Sequence, residues 1–321
     1  MSFNVLADIY ATEKAYPYVQ KRFLRWDYRC EIVLNEIARY RSHVVCLQEV
    51  QYSHYCNFFS KQLMLYNYEG IFKKKTRTSL YSDPNAVDGC ALFFDKSVFR
   101  LVQQFTIEFN EAADELFRDS DGPRKEIVRR LARDNVALVC TLEDLRTKRR
   151  VCVANTHIFW DPLYEDVKLW QTFVLCKEIQ SKLLFGNSSN EQKYPIIICG
   201  DFNSTPDSQV YGLLTKGIVD LNAQLFKNDK LGIFSNTKIE HSQPFESAYK
   251  EVLNKEPSYT NYTESFKGCL DYLLFSKGSL EVLKVLDCYP ENVLKEHLAL
   301  PSPRFASDHI QLVAEFAFGA E

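Results

Sequence analysis

The chain has 321 residues, of which 46% are hydrophobic and 25% are charged, and this balance excludes a largely disordered protein. The net charge of −3 gives no sign of a protein that binds nucleic acid through overall positive charge. No apolar run is long enough to cross a bilayer, and no signal peptide precedes the first strand. The ten cysteines form no Cys-x-x-Cys pair, which indicates free thiols in a reducing compartment. We therefore expect no membrane association and a cytoplasmic location, with a nuclear fraction left open.

Apolar runs with strand character follow one another along the chain and outnumber the helical segments. They fall at residues 2–8, 43–48, 66–72, 87–95, 100–108, 134–142, 150–156, 194–199, 268–275, 279–287 and 309–317. Helical spacing predicts helices over 21–40, 51–64, 162–184 and 206–215, and the third has Asp161 as N-cap and Pro162 in its first position. The segments 73–86, 110–126 and 223–247 show no clear period, so we predict long loops there that contact substrate.

The excess of neighbouring strands predicts the fold class. It favours an α/β protein with two packed, mostly antiparallel sheets and helices outside over a doubly wound parallel sheet. No repeat, low-complexity tract or Gly-, Pro- or Ser-rich linker interrupts the chain, which predicts one domain over residues 1–321. Because the strand pattern begins at once, we expect this domain to have been excised from a longer protein.

Polar side chains stand in or just after several of the predicted strands. Asn4 lies in the first strand and needs a hydrogen-bond partner there, and Glu49 closes the second as a surface charge or a metal ligand. His157 follows the seventh strand, either as a structural residue or as a phosphate ligand. Asp201 and Asn203 follow the eighth strand and point to the same side, as a tight Asx turn or as a site for a hard cation and a phosphate oxygen.

A second polar group lies near the end of the sequence. Asp271 stands in an apolar run, where an isolated carboxylate is costly and needs a partner. Asp308 and His309 open the last strand, and His309 is the natural partner because a carboxylate fixes the imidazole tautomer and stabilises its charged form. Two basic clusters, at 73–77 and 146–150, are either solvated loops or rims that contact phosphate.

Taken in chain order, these motifs resemble those of the endonuclease/exonuclease/phosphatase superfamily across nearly the whole chain. The matching residues are Asn4, Gln48-Glu49, His157, Asp201-x-Asn203, Asp271-Tyr272 and Ser307-Asp308-His309. Within the superfamily the chain looks like the carbon-catabolite-repressor-type poly(A) deadenylases, on the segments 3–8, 26–29, 87–94, 160–162, 167–172 and 259–263. It departs from them in having Asp201-Phe202-Asn203 where the family usually has Asp-Leu-Asn, and in lacking their leucine-rich repeats.

The resemblance implies the fold, the reaction and the partners. The fold would be a four-layer α/β sandwich, and the reaction would be Mg²⁺-dependent hydrolysis at an RNA 3′ end, shortening poly(A) tails with release of 5′-AMP. Glu49, Asp201, Asn203 and Asp308 would hold two Mg²⁺ ions, for which Mn²⁺ can substitute. The partners would be RNA with a 3′ poly(A) tail and, through regions outside this chain, other subunits of a deadenylase complex.

The resemblance also implies catalytic roles for single residues. Asn4 would position the shell of water around the metal, and Asp201 would orient or deprotonate the attacking water. His157 and His309 would hydrogen-bond the phosphoryl oxygens as charge develops there. Asp271 would orient His309.

Four further residues are implied in orienting the site and binding the terminal base. Asp88 would orient His157. Phe266 would stack on the adenine, Asn261 would contact it and Pro162 would wall the same pocket. The alternative for Phe266 is that it is a core side chain.

Other functions stay open at this point. Relatives with the same core cut 2′,5′-linked adenylate, open 2′,3′-cyclic phosphates or remove the 2′-phosphate of a nicotinamide cofactor. An inactive RNA-binding scaffold is a more distant alternative. Loss of a ligand residue would indicate such a scaffold, and the sequence shows no such loss.

Overall fold

The computed structural model describes residues 1–77, 83–116, 123–184, 194–220, 222–227, 229, 231–234 and 238–319. Within these ranges the strands are β1 Ser2–Asn4, β2 Val44–Gln51, β3 Tyr68–Lys74, β4 Asp88–Asp95, β5 Phe99–Glu108, β6 Val136–Asp144, β7 Arg150–His157, β8 Ile196–Asp201, β9 Phe245–Ser247, β10 Asn261–Tyr262, β11 Lys267–Gly268, β12 Asp271–Ser276, β13 Leu280–Val285 and β14 Ala314–Phe318. The helices are α1 Lys21–Leu24, α2 Trp26–Tyr40, α3 Tyr52–His54, α4 Ser60–Leu65, α5 Phe109–Leu116, α6 Pro123–Leu131, α7 Glu165–Leu184, α8 Gln209–Lys216, α9 Gln224–Lys227, α10 Ala248–Leu253 and α11 Glu291–Leu294. A π-helical turn, Tyr55–Phe59, joins α3 to α4, and 3₁₀ turns span Pro84–Ala86 and Lys295–His297.

Two large sheets form the centre of the molecule. The first has the strand order β1-β2-β4-β3 and the second the order β5-β6-β7-β8-β12-β9. Only β1 with β2 and β7 with β8 pair in parallel within these two sheets, and their other pairs are antiparallel. The strands β10 and β11, and likewise β13 and β14, form separate two-stranded sheets. The prediction of two mostly antiparallel sheets is confirmed.

Side chains alternate along the strands, so each large sheet has two apolar faces. Cys46 and Leu92 of the first sheet meet Val153 of the second in the apolar layer between the sheets. The outer face of the first sheet packs under α2 and α4, and the outer face of the second packs under α5 to α8, around Trp170. The order helix, sheet, sheet, helix is the four-layer α/β sandwich that the resemblance implies.

A polar link crosses the apolar layer between the sheets. The side-chain amide of Gln48 donates to Asn155 Oδ1 at 2.7 Å. Asn155 Nδ2 in turn donates to the carbonyls of Leu47 at 3.0 Å and Ala91 at 2.8 Å. Buried amides need such partners, so this group fixes how β7 of the second sheet sits against β2 and β4 of the first.

Several predicted elements differ from the structure. β1 ends at Asn4 instead of continuing to residue 8, because Leu6 adopts the left-handed region (φ 56°) and its amide bonds to Asn4 Oδ1. The helix predicted over 21–40 is broken at Arg25, whose backbone is extended. Much of the loop predicted over 110–126 is helical, in α5 and α6, because residues there pack against the second sheet through side chains such as Ala113.

The helix predicted from Pro162 begins three residues later. Asp161 accepts a hydrogen bond from the amide of Leu163 at 2.9 Å, and its carbonyl accepts one from Tyr164 at 3.1 Å. These bonds make a turn ahead of α7, which starts at Glu165.

Among the described helices, none combines the length and the apolar content needed to span a membrane. All ten cysteines are free, and eight of them are buried.

Candidate active site at the strand ends

Asn4, at the end of β1, joins two carboxylates from different strands. Its Nδ2 donates to Glu49 Oε1 and to Asp201 Oδ2, both at 3.0 Å. All of these residues are partly or fully buried, and Asn4 belongs to the first sheet while Asp201 belongs to the second. The amide therefore holds two acidic groups at the same edge of the sandwich.

Glu49 reaches this position through a β-bulge. The pairing of β2 with β4 passes from Leu47 opposite Ala91 to Val50 opposite Gly89, so two residues of β2 face one of β4. Glu49 itself has φ 58°, a conformation that a non-glycine residue adopts only at a cost. Its second oxygen accepts the amide of Ala7 at 2.9 Å, which fixes the carboxylate.

Asp201 and Asn203 share a tight turn after β8. Asp201 Oδ1 accepts the amide of Asn203 at 2.9 Å, and Asn203, with φ 46°, donates from Nδ2 to the carbonyl of Ile158 at 3.0 Å. Gly200 before them has φ 143°, and a Cβ there would lie 1.9 Å from the carbonyl oxygen of Thr156. The Gly-Asp-x-Asn sequence is thus required by close packing of β8 on β7 as well as by the polar site.

Both imidazoles face Asp201. His157 Nε2 lies 3.6 Å and His309 Nε2 lies 3.5 Å from Asp201 Oδ2. His309 Nδ1 lies 2.8 Å from Asp271 Oδ2, and that carboxylate also accepts the hydroxyl of Thr260 at 2.6 Å. The ring of His309 is therefore held from behind by a carboxylate, with Nε2 directed to the centre of the site.

The surroundings shift the pKa values of the two histidines in opposite directions. Burial, and next the charge of Lys75, lower the pKa of His157 well below its usual value. For His309, burial alone would lower the pKa, but Asp271, Asp201 and Asp308 outweigh it and raise the pKa well above its usual value. The surroundings therefore favour the neutral ring for His157 and the charged ring for His309, on two sides of Asp201.

Asp308 joins the site from the last part of the chain. Its Oδ2 accepts Nδ2 of Asn261 at 3.0 Å, and the preceding Ser307 hydroxyl donates to the carbonyl of Asn4 at 2.7 Å. The structure thus brings together Asn4, Glu49, His157, Asp201, Asn203, Asp271, Asp308 and His309 at one end of the two sheets.

The donor set fits a divalent cation. Burial raises the pKa of Asp201 to about 7, with Asp271 adding to the shift. Burial, and next Asp88, also raise the pKa of Glu49. The main cause of both rises is burial, which disfavours the charged carboxylate and which a bound cation would offset. Carboxylate oxygens are also the donors that a hard cation prefers. Asp201, Asp271 and His309 each offer an atom within 4.8 Å of the others, a buried group that could bind metal.

Asp88 does not hold His157, so that prediction is wrong. Asp88 Oδ2 lies 2.7 Å from Lys75 Nζ, and its Oδ1 accepts the hydroxyl of Tyr10 at 3.0 Å. Among the residues described, His157 Nδ1 has no hydrogen-bond partner. The carboxylate of Asp88 is therefore paired with the buried ammonium of Lys75. The charge of Lys75 also acts to lower the pKa values of Glu49 and His157.

Sequence reasoning missed the residues that support the site. Lys75 belongs to the basic cluster at 73–77, whose interpretation as a phosphate-contacting rim pointed to the right region without singling it out. Lys168 of α7 donates to the carbonyl of Asn203 at 2.7 Å. Gln171 accepts the amide of Phe159 at 3.0 Å. Polar residues on an otherwise buried helix were the available signal for the last two.

The residues implied in base binding lie in three different surroundings. Phe266 is 39% exposed, and its ring covers Gly268, where a Cβ would lie 2.6 Å from Phe266 Cζ. It is therefore a surface ring and not a core side chain. Asn261 is buried, with its amide nitrogen on Asp308. Pro162 is exposed and lines a cavity of about 520 Å³ together with Leu163 of the same turn.

Comparison with known proteins gives relatives over almost the whole chain. Residues 1–309 match the Endonuclease/Exonuclease/phosphatase family. The chain is 37% identical to "Carbon catabolite repressor protein 4 homolog 1" of Arabidopsis thaliana, over 98% of this chain and 56% of the relative. It is 35% identical to the "CCR4-Not complex 3′-5′-exoribonuclease subunit Ccr4" of Schizosaccharomyces pombe, over 98% of this chain and 48% of the relative. The chain thus spans about half the length of these relatives.

A solved structure supports the same assignment. ANGEL2, described as a 2′,3′-cyclic phosphatase and solved with adenosine-2′,3′-vanadate, is 28% identical with a TM-score of 0.79, over 98% of this chain and 94% of that chain. Sequence and fold agree, and the resemblance to carbon-catabolite-repressor proteins is confirmed. The chain belongs to the endonuclease/exonuclease/phosphatase family.

Proposed function

We propose that this chain is a Mg²⁺-dependent 3′-5′ exoribonuclease that shortens poly(A) tails and releases 5′-AMP. The observation that carries the proposal is the pair of carboxylates, Glu49 and Asp201, which Asn4 bridges and of which Asp201 faces two imidazoles. The name of the fission yeast relative, a 3′-5′-exoribonuclease subunit, supports RNA as the substrate class.

The partners and location belong to the same proposal. The names of relatives as subunits of the CCR4-Not complex support a place in a deadenylase complex, through regions outside this chain. A cytoplasmic location with a nuclear fraction would suit an enzyme that acts on messenger RNA tails. One domain over residues 1–321 is the unit that would carry the chemistry.

Four residues would hold the metal in this proposal: Glu49, Asp201, Asn203 and Asp308. Mg²⁺ suits their oxygen donors, two ions are expected, and Mn²⁺ can substitute. When bound, the metal would neutralise charge on the scissile phosphate and make water more acidic. Asn4 would hold the carboxylates of Glu49 and Asp201 in a fixed relative position, since its amide bonds to both.

The side chains around these ligands would have two separate roles, proton transfer and stabilisation of negative charge. Asp201 would orient or deprotonate the attacking water, because its Oδ2 is directed to the space between both imidazoles. The charged His309, held by Asp271, would donate to a phosphoryl oxygen as negative charge develops, and His157 would contact a second oxygen.

The terminal base would bind beside this centre. Phe266 is exposed enough to stack on adenine, and Pro162 is exposed in the turn ahead of α7. Asn261 would contact the base through its side-chain oxygen and its second N–H, since the other N–H donates to Asp308. An exposed ring can stack on any base, and preference for adenine must therefore come from contacts to its edge.

The metal-dependent reaction is tested with a charge-removing variant. Glu49→Gln keeps the shape of the side chain but removes a charged oxygen ligand, so we expect a loss of activity of about 10²-fold or more. The matched control is Glu69→Gln, an exposed glutamate on β3 that should keep full activity. Undiminished turnover by Glu49→Gln, or by the unaltered chain in EDTA, would refute the mechanism.

The substrate is tested with labelled RNAs that differ only in their 3′ tails. The chain should trim an oligo(A) tail stepwise to 5′-AMP and slow markedly at non-A sequence. Phe266→Ala should slow this trimming without unfolding the protein, because stacking contributes about 1–3 kcal/mol per base. Equal rates on A, C and U tails would contradict an adenine pocket.

One other function has a specific observation in its favour. The 2′,3′-cyclic phosphatase described for ANGEL2 shares the fold and 28% of the sequence. RNA ending in a 2′,3′-cyclic phosphate should therefore be assayed beside oligo(A), together with 2′,5′-linked adenylate and the nicotinamide cofactor that carries a 2′-phosphate. Faster turnover of any of these than of oligo(A) would favour the alternative.

A further inference from the structure

A surface of aromatic and basic side chains adjoins His157. It consists of Phe159, Trp160, Tyr164 and Arg133, and we call it the aromatic ledge. Trp160 is 66% exposed, which is unusual for the largest apolar side chain in a soluble protein. An exposed aromatic surface next to a catalytic centre is the kind of patch that marks a binding site.

The backbone of the ledge is tied to the catalytic residues. The amide of Ile158 donates to the carbonyl of Asp201 at 2.9 Å, and its carbonyl accepts Asn203 Nδ2 at 3.0 Å. The amide of Phe159 donates to Gln171 Oε1 at 3.0 Å. Trp160 comes two residues after Ile158, and two residues of extended backbone span about 7 Å. The ledge therefore begins within about 7 Å of the residue that bonds to Asp201 and Asn203.

Arg133 gives the ledge a positive charge that no described carboxylate neutralises. Its guanidinium carbon lies 5.0 Å from the ring centroid of Phe159 and 4.8 Å from that of Tyr164. Its Nε is buried without a hydrogen-bond partner, and it forms no ion pair within the ranges that the structure covers. Arg130 also stacks on Tyr164, at 4.2 Å, but it is bonded to Asp166.

This combination matches the chemistry of a single nucleic-acid strand. The exposed ring of Trp160 provides a face for base stacking. The guanidinium of Arg133, stacked on the partly buried rings of Phe159 and Tyr164, contributes a cation for the backbone. With a net charge of −3, the chain cannot attract RNA through overall charge, so a local unpaired cation matters more. The ledge is also continuous with the proposed base site, because Pro162 lies between Trp160 and Tyr164 in the chain.

We propose that the aromatic ledge binds the RNA nucleotides that lie further 5′ than the two nucleotides joined by the scissile phosphate. Trp160 stacks on one of their bases, and Arg133 contacts a backbone phosphate. This inference rests on the proposed function, because it extends the substrate path of the same site. Stacking is tolerant of base identity, so the ledge adds affinity for a long strand and not selectivity for adenine.

Binding without turnover is the first test. A labelled 20-nucleotide oligo(A) is titrated in EDTA and followed by fluorescence anisotropy. Trp160→Ala should weaken binding about 5- to 150-fold, the range that corresponds to the loss of one stacked base. Arg133→Gln should lower the slope of log K against log salt by about 0.7, the value for one phosphate contact on a single strand.

Two variants at the opposite end of the sandwich are the matched controls. Tyr66→Ala removes another exposed ring, 54% accessible, ahead of the strand β3. Arg149→Gln removes another guanidinium stacked on a ring, at 4.7 Å from Phe318, ahead of the strand β7 that ends at His157. Both controls should bind the 20-mer as tightly as the unaltered chain.

Turnover separates the ledge from the chemistry. With Mg²⁺ present, Trp160→Ala and Arg133→Gln should lower kcat/KM on the 20-mer and leave kcat/KM on the dinucleotide ApA unchanged. Equal losses on both substrates, tight binding by both variants, equal effects in the controls, or no binding by the unaltered chain would overturn the ledge proposal. If the unaltered chain binds the 20-mer through the ledge but trims no RNA, the proposed function fails and the ledge stands.

Discussion

The ion pair of Lys75 and Asp88 allows a prediction of stability with a worked magnitude. Lys75 Nζ lies 2.7 Å from Asp88 Oδ2, and the two side chains are 4% and 0% exposed. Lys75→Met preserves the length of the side chain but leaves a buried carboxylate with the Tyr10 hydroxyl as its described hydrogen bond. Breaking a buried pair on one side costs about 3–5 kcal/mol, and we expect a fall of that size in the free energy of unfolding.

The double variant Lys75→Met with Asp88→Asn makes the argument specific. It removes both charges while the amide oxygen still accepts from Tyr10, so stability should recover to within about 1 kcal/mol of the unaltered chain. Urea unfolding followed by tryptophan fluorescence measures all three proteins. As a control, Lys284→Met breaks an exposed pair with Glu315 and should cost about 0–1 kcal/mol.

The outcome that refutes this reasoning is clear in the same experiment. If the free energy of unfolding of Lys75→Met falls by less than about 1 kcal/mol, the carboxylate of Asp88 is not left unpaired in the interior, because water reaches it. If the double variant is no more stable than Lys75→Met, the cost comes from lost packing of the lysine stem and not from the unpaired charge.

Three further predictions follow from supporting contacts. Thr260→Val removes the hydroxyl that donates to Asp271 and accepts two backbone amides. The free energy of unfolding, measured by urea titration, should fall by about 1–3 kcal/mol. Initial rates should show a lower kcat, because Asp271 then holds His309 less firmly. Lys168→Met removes the bond to the Asn203 carbonyl, and kcat should fall about tenfold with KM nearly unchanged; an effect on KM alone would contradict a positioning role. Burial, then Arg29, lower the pKa of His54 to about 4, so the fold favours the neutral ring and stability is complete above about pH 6.5 and lost as pH falls towards 4. The shift corresponds to about 3.4 kcal/mol, or about 1–2 kcal/mol after allowing for partial exposure, and His54→Gln should flatten the pH profile of urea midpoints over that window.

The sequence was informative wherever a local pattern determines structure. Continuous apolar runs placed most strands of the two large sheets, since a strand that is buried on both faces is apolar at successive positions. Strand ends marked by Glu49 and Asp201 placed two of the acidic groups at one edge. Chain order then allowed the resemblance, which brought in Asp308 and His309 from the far end of the sequence.

What could not be predicted depends on contacts between distant segments. The bulge that turns Glu49 inward at φ 58° has no signature in residues 48–50 alone. Asp88 was given the wrong partner, because the pairing of β3 with β4 that brings Lys75 to it is a property of register. The helices α5 and α6 were missed because the segment between them broke the period, and burial against the second sheet overrides weak propensity.

The bridge made by Asn4 links ligand binding to the folding of the whole molecule. Glu49 lies 45 positions and Asp201 lies 197 positions from Asn4 in the chain, and the two acidic groups come from different sheets. A cation held by both carboxylates would bind only after the sheets have docked, so it would bind the native state and not the unfolded chain. At a concentration 100 times its dissociation constant it would add about 2.7 kcal/mol to the free energy of unfolding. A partly opened molecule, with its sheets apart, would release the ion at the same moment. The difference in resistance to proteolysis between Mg²⁺ and EDTA would therefore measure how tightly the two sheets are coupled.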